Sequence, residues 1–129
     1  MQDKDNKKKY ILLVEDDYFI ASLLVKKLQK ECLPFEHAKT GEEGLEKARL
    51  SKPGIVLLDL VLPGIDGYEV LTQLKMDPNL SSVPVVILSN LGQKNEIEQC
   101  LRLGAVDFLV KAHFDMDQIV QRIKKIMKG

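Results

Sequence analysis

From Tyr10 onward, apolar runs alternate with segments of helical periodicity. Tyr10-Ile11-Leu12-Leu13-Val14 is an unbroken apolar run and predicts a buried strand. Ile20, Leu23, Leu24 and Leu28 follow at helical spacing over residues 18–31. A weak strand is expected near Pro34–Ala38. Thr40 with Glu43 has the T-x-x-E form of a capping box and opens a helix to about Leu50. Ile55-Val56-Leu57-Leu58 is the next strand. Asp66 and Glu69 start a helix that runs through about Met76. Val83 to Leu88 predicts a fourth strand, and residues 94–103 a helix stopped by Gly104. Val106 to Val110 is the fifth strand. Asp115 caps a last helix with Met116, Ile119, Val120, Ile123 and Met127 on one face. Five strands alternating with five helices, several strands apolar on both faces, predict a doubly wound α/β fold with a parallel sheet.

The length of 129 residues suits one domain with a core of its own. Residues 1–8 are polar and are expected to form a disordered arm, with residues 9–129 as the domain. Hydrophobic residues make up 45% of the chain and charged residues 29%, a globular balance. Nineteen basic side chains match nineteen acidic ones, which argues against direct nucleic-acid binding. Basic residues gather at Lys7–Lys9 and at Arg122, Lys124, Lys125 and Lys128, where solvated termini are the ordinary reading. Cys32 and Cys100 have neither disulfide-framework nor zinc spacing and are expected to pack as small apolar residues. With no membrane-length apolar run and no signal-peptide core, a cytoplasmic protein is expected.

In open parallel sheets, ligands bind beyond the carboxyl ends of the strands. Here the first strand ends in Glu15-Asp16-Asp17, the third in Asp59, the fourth in Ser89 and the fifth in Lys111. Singly, each has an ordinary explanation. Asp17 suits a helix cap, and Ser89 and Lys111 would be unremarkable alone. Asp59 is harder to dismiss, because it interrupts the otherwise apolar run Ile55–Leu62 and a lone buried carboxylate is costly. Together the groups meet the needs of phosphoryl transfer to an oxygen nucleophile, which requires a metal and cationic donors. Asp16 and Asp59 are candidate Mg²⁺ ligands, with Glu15 acting through water. Lys111 supplies a point charge, Ser89 a hydroxyl donor, and Asp59 the nucleophile.

Four segments carry a specific resemblance: Ile11–Asp17, Asp59–Gly67 with Pro63-Gly64-Ile65-Asp66-Gly67, Ser89 after Val85–Leu88, and Asp107-Phe108-Leu109-Val110-Lys111. In this order and spacing the chain resembles a bacterial response-regulator receiver domain of the chemotaxis-regulator type, over about residues 9–128. The resemblance implies a flavodoxin-like sheet of order 2-1-3-4-5 and a switch driven by phosphorylation in a two-component phosphorelay. It makes Asp59 the phosphoacceptor and Glu15 and Asp16 the acidic metal pair. The Val61 backbone carbonyl completes the Mg²⁺ shell, Ser89 and Phe108 form the switch pair, and Lys111 is the cation. The implied partners are a sensor histidine kinase or histidine phosphotransfer protein, then a downstream protein or a second copy through the face of the fourth helix, fifth strand and fifth helix. The only chemistry implied is on the chain's own aspartate, so it is not an enzyme in the ordinary sense.

Two positions depart from the family pattern. Ala112 stands where a proline, often cis, commonly follows the lysine; a non-proline cis bond costs ~3 kcal/mol. Asn90 stands where a small residue commonly follows the switch hydroxyl. His37 and His113 have no metal-ligand spacing, and His113 is expected at the surface. A flavodoxin-like cofactor binder is disfavoured because Glu15-Asp16-Asp17 would repel phosphate. A P-loop is absent. The remaining alternative is a receiver-like binding module that is never phosphorylated.

Overall fold

Strands of four or five residues are enough to cross a sheet covered on both faces, and the computed structural model, which describes residues 9–128, has that form, with β1, β3 and β4 buried throughout. Its strands are β1 (Ile11–Val14), β2 (Phe35–Ala38), β3 (Ile55–Leu58), β4 (Val85–Ser89) and β5 (Asp107–Val110). Its helices are α1 (Tyr18–Lys30), α2 (Gly41–Leu50), α3 (Gly67–Met76), α4 (Lys94–Arg102) and α5 (Met116–Lys128). All strand pairs are parallel, in the order β2-β1-β3-β4-β5. The expected order is therefore the observed one. The arm expected at residues 1–8 lies outside the described residues.

Alternation along each strand splits the core into two layers. Leu12, Val14, Val56, Leu58, Val85 and Ile87 pack on one face against Leu45, Val70, Leu71, Leu74 and Cys100 of α2, α3 and α4. Ile11, Leu13, Ile55, Leu57, Val86 and Leu88 pack on the other against Leu24, Leu28, Ile119, Val120 and Ile123 of α1 and α5. All of these side chains are buried, and each full burial of a large aliphatic group contributes about 1.5–3 kcal/mol.

Helix starts follow the predicted caps. Asp17 accepts from the N–H groups of Phe19 and Ile20 at 3.0 and 3.2 Å. Asp66 accepts from Glu69 at 2.9 Å, and Asp115 and Gln118 cap each other's backbone N–H. At α2, Thr40 accepts from Glu43 N–H, but the Glu43 carboxylate takes the N–H of Lys39 rather than closing the box on Thr40. Gly104 ends the α4 segment at φ +112°.

Three expectations need correction. Val83 is buried but precedes β4, and Val106 is half-exposed ahead of β5. Cys100 is buried as expected, whereas Cys32 is exposed with φ 58°. It terminates α1 as the left-handed residue of a Schellman turn: Cys32 N–H reaches Gln29 O at 3.0 Å and Leu33 N–H reaches Leu28 O at 2.9 Å. The basic carboxyl end is also not simply solvated. Arg122 pairs with Asp107 and Lys124 with Glu31, and Lys27 of α1 pairs with Asp117 of α5.

Candidate functional site

Pairing β1 beside β3 sets Val14 opposite Leu58, so Glu15 and Asp59 leave the sheet at the same level. Asp59 N–H donates to Val14 O at 3.0 Å, which continues the ladder one residue past the strands. Helix α3 fixes the other side. A Cβ built on Gly67 would stand 2.3 Å from Asp59 O, so only glycine permits this approach. The result is a shallow cleft of about 320 Å³ into which Glu15, Asp16, Asp59, Ser89 and Lys111 all converge. All four strand ends singled out in the sequence meet there.

Glu15 is 1% exposed and Asp59 6%, whereas Asp16 is exposed at the rim. One carboxylate oxygen of each lies within 4.8 Å of the others. Two buried carboxylates this close repel unless a cation sits between them. Lys111 supplies it: Nζ donates to Asp59 Oδ2 at 3.1 Å and lies 2.7 Å from Glu15 Oε1. The second contact is an ion pair without hydrogen-bond alignment, so Glu15 Oε1 is buried with no aligned donor. Glu15 Oε2 accepts from Asp17 N–H at 3.0 Å, and Asp59 Oδ1 from Val61 N–H at 3.3 Å.

Burial pushes the Glu15 carboxyl up to about 7; Lys111 opposes this and the Asp59 charge adds to it. For Lys111, burial works to lower the ammonium, but the Glu15 and Asp59 carboxylates outweigh it and hold it above its usual value. The donor set of three carboxylates, one at the rim and one with an oxygen lacking an aligned donor, fits a hard divalent cation that keeps water ligands.

Ser89 is fully buried, and its Oγ accepts from Leu91 N–H at 3.3 Å. Phe108 is half-buried against the α2–α4 layer. Asn90 is exposed on the cleft lining. Ala112 does not prevent Lys111 from reaching the carboxylates: Lys111–His113 winds as a short 3-10 turn, with Ala112 and His113 exposed. One neighbour of the site was not foreseen. His37 of β2 holds its Nε2 2.8 Å from Glu15 O. Only the register of β1 on β2 reveals that contact, and single-sequence periodicity does not supply register.

The family model for the response regulator receiver domain matches residues 11–124, which contain every strand end in the cleft. The chain belongs to that family. As a receiver domain it is a phosphorylation-activated switch of two-component signalling, whose family partners are histidine kinases or phosphotransfer proteins. It is 35% identical over 118 residues to sporulation initiation phosphotransferase F of Bacillus subtilis, covering 91% of this chain and 92% of the relative. Among solved structures, the phosphorylated cyanobacterial phytochrome response regulator RcpA aligns with TM-score 0.80 and 32% identity, over 93% of this chain and 91% of that one. The Mn²⁺-bound form of response regulator Rcp1 aligns with TM-score 0.81 and 28% identity, over 91% and 92%. The chain spans about half the length of some curated relatives and nearly all of others. No helix among the described residues is long and apolar enough to cross a membrane.

Proposed function

We propose that Asp59 is the phosphoacceptor of this receiver domain, with Mg²⁺ held by Asp59, Asp16, the Val61 carbonyl and Glu15. The observation that carries the reading is the convergence of three carboxylates within 4.8 Å on a lysine that touches two of them. When bound, the ion would neutralise charge on the transferring phosphoryl oxygens. An Asp59 carboxylate oxygen attacks phosphorus, a new O–P bond forms, and the P–N bond of a phosphohistidine donor breaks. The imidazole keeps the electron pair and its proton balance is met by solvent. Lys111 shifts from the carboxylates onto a phosphoryl oxygen, and the Ser89 hydroxyl donates to another, giving up its bond from Leu91.

In this reading the donor is a sensor histidine kinase or histidine phosphotransfer protein of the cytoplasm. The chain catalyses nothing beyond gain and loss of its own phosphate. Output runs through α4, β5 and α5 to a downstream protein or a second copy. Incubation with Mg²⁺ and a small phosphodonor, read by intact mass, is expected to add one phosphoryl group to the wild type and none to Asp59→Asn. An unmodified wild type would point to a binding module, and a modified Asp59→Asn to a different acceptor.

A further inference from the structure

The β1–β2 ladder stops just short of the metal-binding loop. Glu15 N–H still donates to Ala38 O at 3.0 Å, the last backbone rung. For the Glu15 carbonyl, the partner is the His37 imidazole at 2.8 Å. A carbonyl only accepts, so His37 Nε2 carries the proton and is the donor. His37 sits on an edge strand and is half-buried, with Tyr18, Phe19 and Lys39 around it in the groove between α1 and β2.

We propose that His37 is a positioning residue for divalent-metal binding. The tethered peptide is the one joining Glu15 to Asp16. Its plane sets where the Asp16 side chain leaves the backbone, since the peptide unit is rigid. Asp16 needs such a guide more than its two partners. Glu15 is fixed by the Asp17 N–H and Lys111, and Asp59 by Lys111 and the Val61 N–H. The Asp16 carboxylate is exposed at the rim, yet its oxygen lies within reach of the other two. Outer partners that orient ligands typically alter metal affinity ten- to a hundredfold. A tether one peptide removed from the ligand belongs at the low end of that range.

The inference rests on the metal reading above, and Mn²⁺ titration followed by the EPR signal of the free ion separates the two. The variants are His37→Leu, which removes the donor, and His37→Gln, whose amide nitrogen reaches about as far as Nε2. Wild type is expected to bind one Mn²⁺, Asp16→Asn to lose most of that binding, His37→Leu to bind about tenfold more weakly, and His37→Gln to stay within about threefold of wild type. Urea unfolding in EDTA should give the same midpoint for Gln and Leu variants, so that a loss of affinity is not a loss of fold. A wild type that takes up no Mn²⁺ sinks the metal reading and this inference with it. A wild type that binds, alongside a His37→Leu variant of equal affinity, overturns the tether alone. So does a His37→Gln variant as weak as His37→Leu, which would make the ring's packing the cause.

Discussion

Lys111 Nζ lies 2.7 Å from Glu15 Oε1, and the two side chains are 10% and 1% exposed. The lysine therefore acts as the counter-charge of the acidic cleft in the metal-free protein. Replacing it by methionine leaves Glu15 and Asp59 facing each other with no cation, a loss that costs roughly 3 kcal/mol for a broken buried pair. In EDTA, Lys111→Met is expected to unfold at a clearly lower urea concentration. Saturating Mg²⁺ should recover most of the deficit, and Mg²⁺ should bind the variant more tightly because no ammonium competes for the carboxylates. A deficit of equal size with and without Mg²⁺ would show that the lysine is not the metal's substitute.

The Glu15 carboxyl sets a pH dependence with a definite sign. Its ordinary value is 4.5 and its folded value about 7, so between these the native state binds more protons than the unfolded chain. Stability of the metal-free protein contributed by this group is greatest below about 4.5 and is lost as pH rises through about 7. The full span corresponds to a loss on the order of 3 kcal/mol. Glu31 and Asp117 are shifted the other way by Lys124 and Lys27, so their support is lost only on acidification below the ordinary carboxylate range. Urea unfolding at pH 5.5 and 8, in EDTA, is expected to show lower stability at 8. With Mg²⁺, whose proposed site uses ionised Glu15, the difference should vanish or reverse; a flat profile in EDTA would contradict the shift.

Phosphorylation adds roughly −1.5 to −2 charge and three acceptor oxygens beside Ser89. Drawing the Ser89 hydroxyl out of its bond from Leu91 should let half-buried Phe108 turn inward and alter the α4–β5–α5 face. Two of the basic groups on that side, Arg122 and Lys124, are already engaged by Asp107 and Glu31, which leaves Lys125 as the more available charge. NMR shift changes on adding a stable phosphoryl mimic are expected to concentrate between Ser89 and Ile119. Changes confined to Glu15–Asp17 and Asp59 would mean that the site and this face are not coupled.

The phosphorylated state should be long-lived. A hydrolytic water must line up with the phosphorus–oxygen bond, and the resemblance to receiver domains implies that the side chains two residues after Asp59 and after Ser89 flank that path: Val61, 59% exposed, and Leu91, half-buried. Neither can orient water. One hydrogen bond of about 1 kcal/mol gained in the transition state is worth about fivefold in rate. Val61→Asn with Leu91→Glu is therefore expected to release phosphate roughly fivefold faster or more, with Mg²⁺ and no phosphatase. Equal or slower release would remove these two residues from any gating role.

Cys32 holds φ 58° at the end of α1, a conformation that costs a side-chain-bearing residue about 1 kcal/mol. Cys32→Gly is expected to raise stability by up to about 0.5 kcal/mol, part of the relief being returned as added freedom of the unfolded chain. The urea midpoint of the two proteins checks it; a lower midpoint for glycine would show that the thiol contributes packing not evident at this exposed position.

The strand-end groups were legible because each of four apolar runs stops at a polar residue, and β3 most plainly, as an apolar run broken by one acid; the sheet order came only with the resemblance to receiver domains. Burial of Asp59 made sense only beside a cation, and Lys111 at the end of β5 is the lysine that reaches it. What periodicity missed depends on register or on φ. The His37–Glu15 contact joins residues 22 positions apart through parallel pairing. Cys32 sits where glycine is usual, so its composition-based assignment to the interior failed at a turn. Ala112 departs from the proline common at that position, yet a short 3-10 turn follows and the lysine reaches the cleft without it. Arg122 and Lys124 of α5 appeared as part of a solvated run because their acidic partners, Asp107 on β5 and Glu31 just past α1, are distant in sequence.

Gly67 has no functional group, yet the backbone of Asp59 leaves no room for even one carbon there. In a genetic screen scored by signalling, residue 67 would look as intolerant as the acidic positions. Its failures would have another origin: a crowded helix start pushing the end of β3 aside, with Asp59 displaced rather than chemically altered. Loss-of-function maps of this chain would thus enclose the reactive residues in a ring of inert ones, and only measurements on purified variants would tell the two kinds apart.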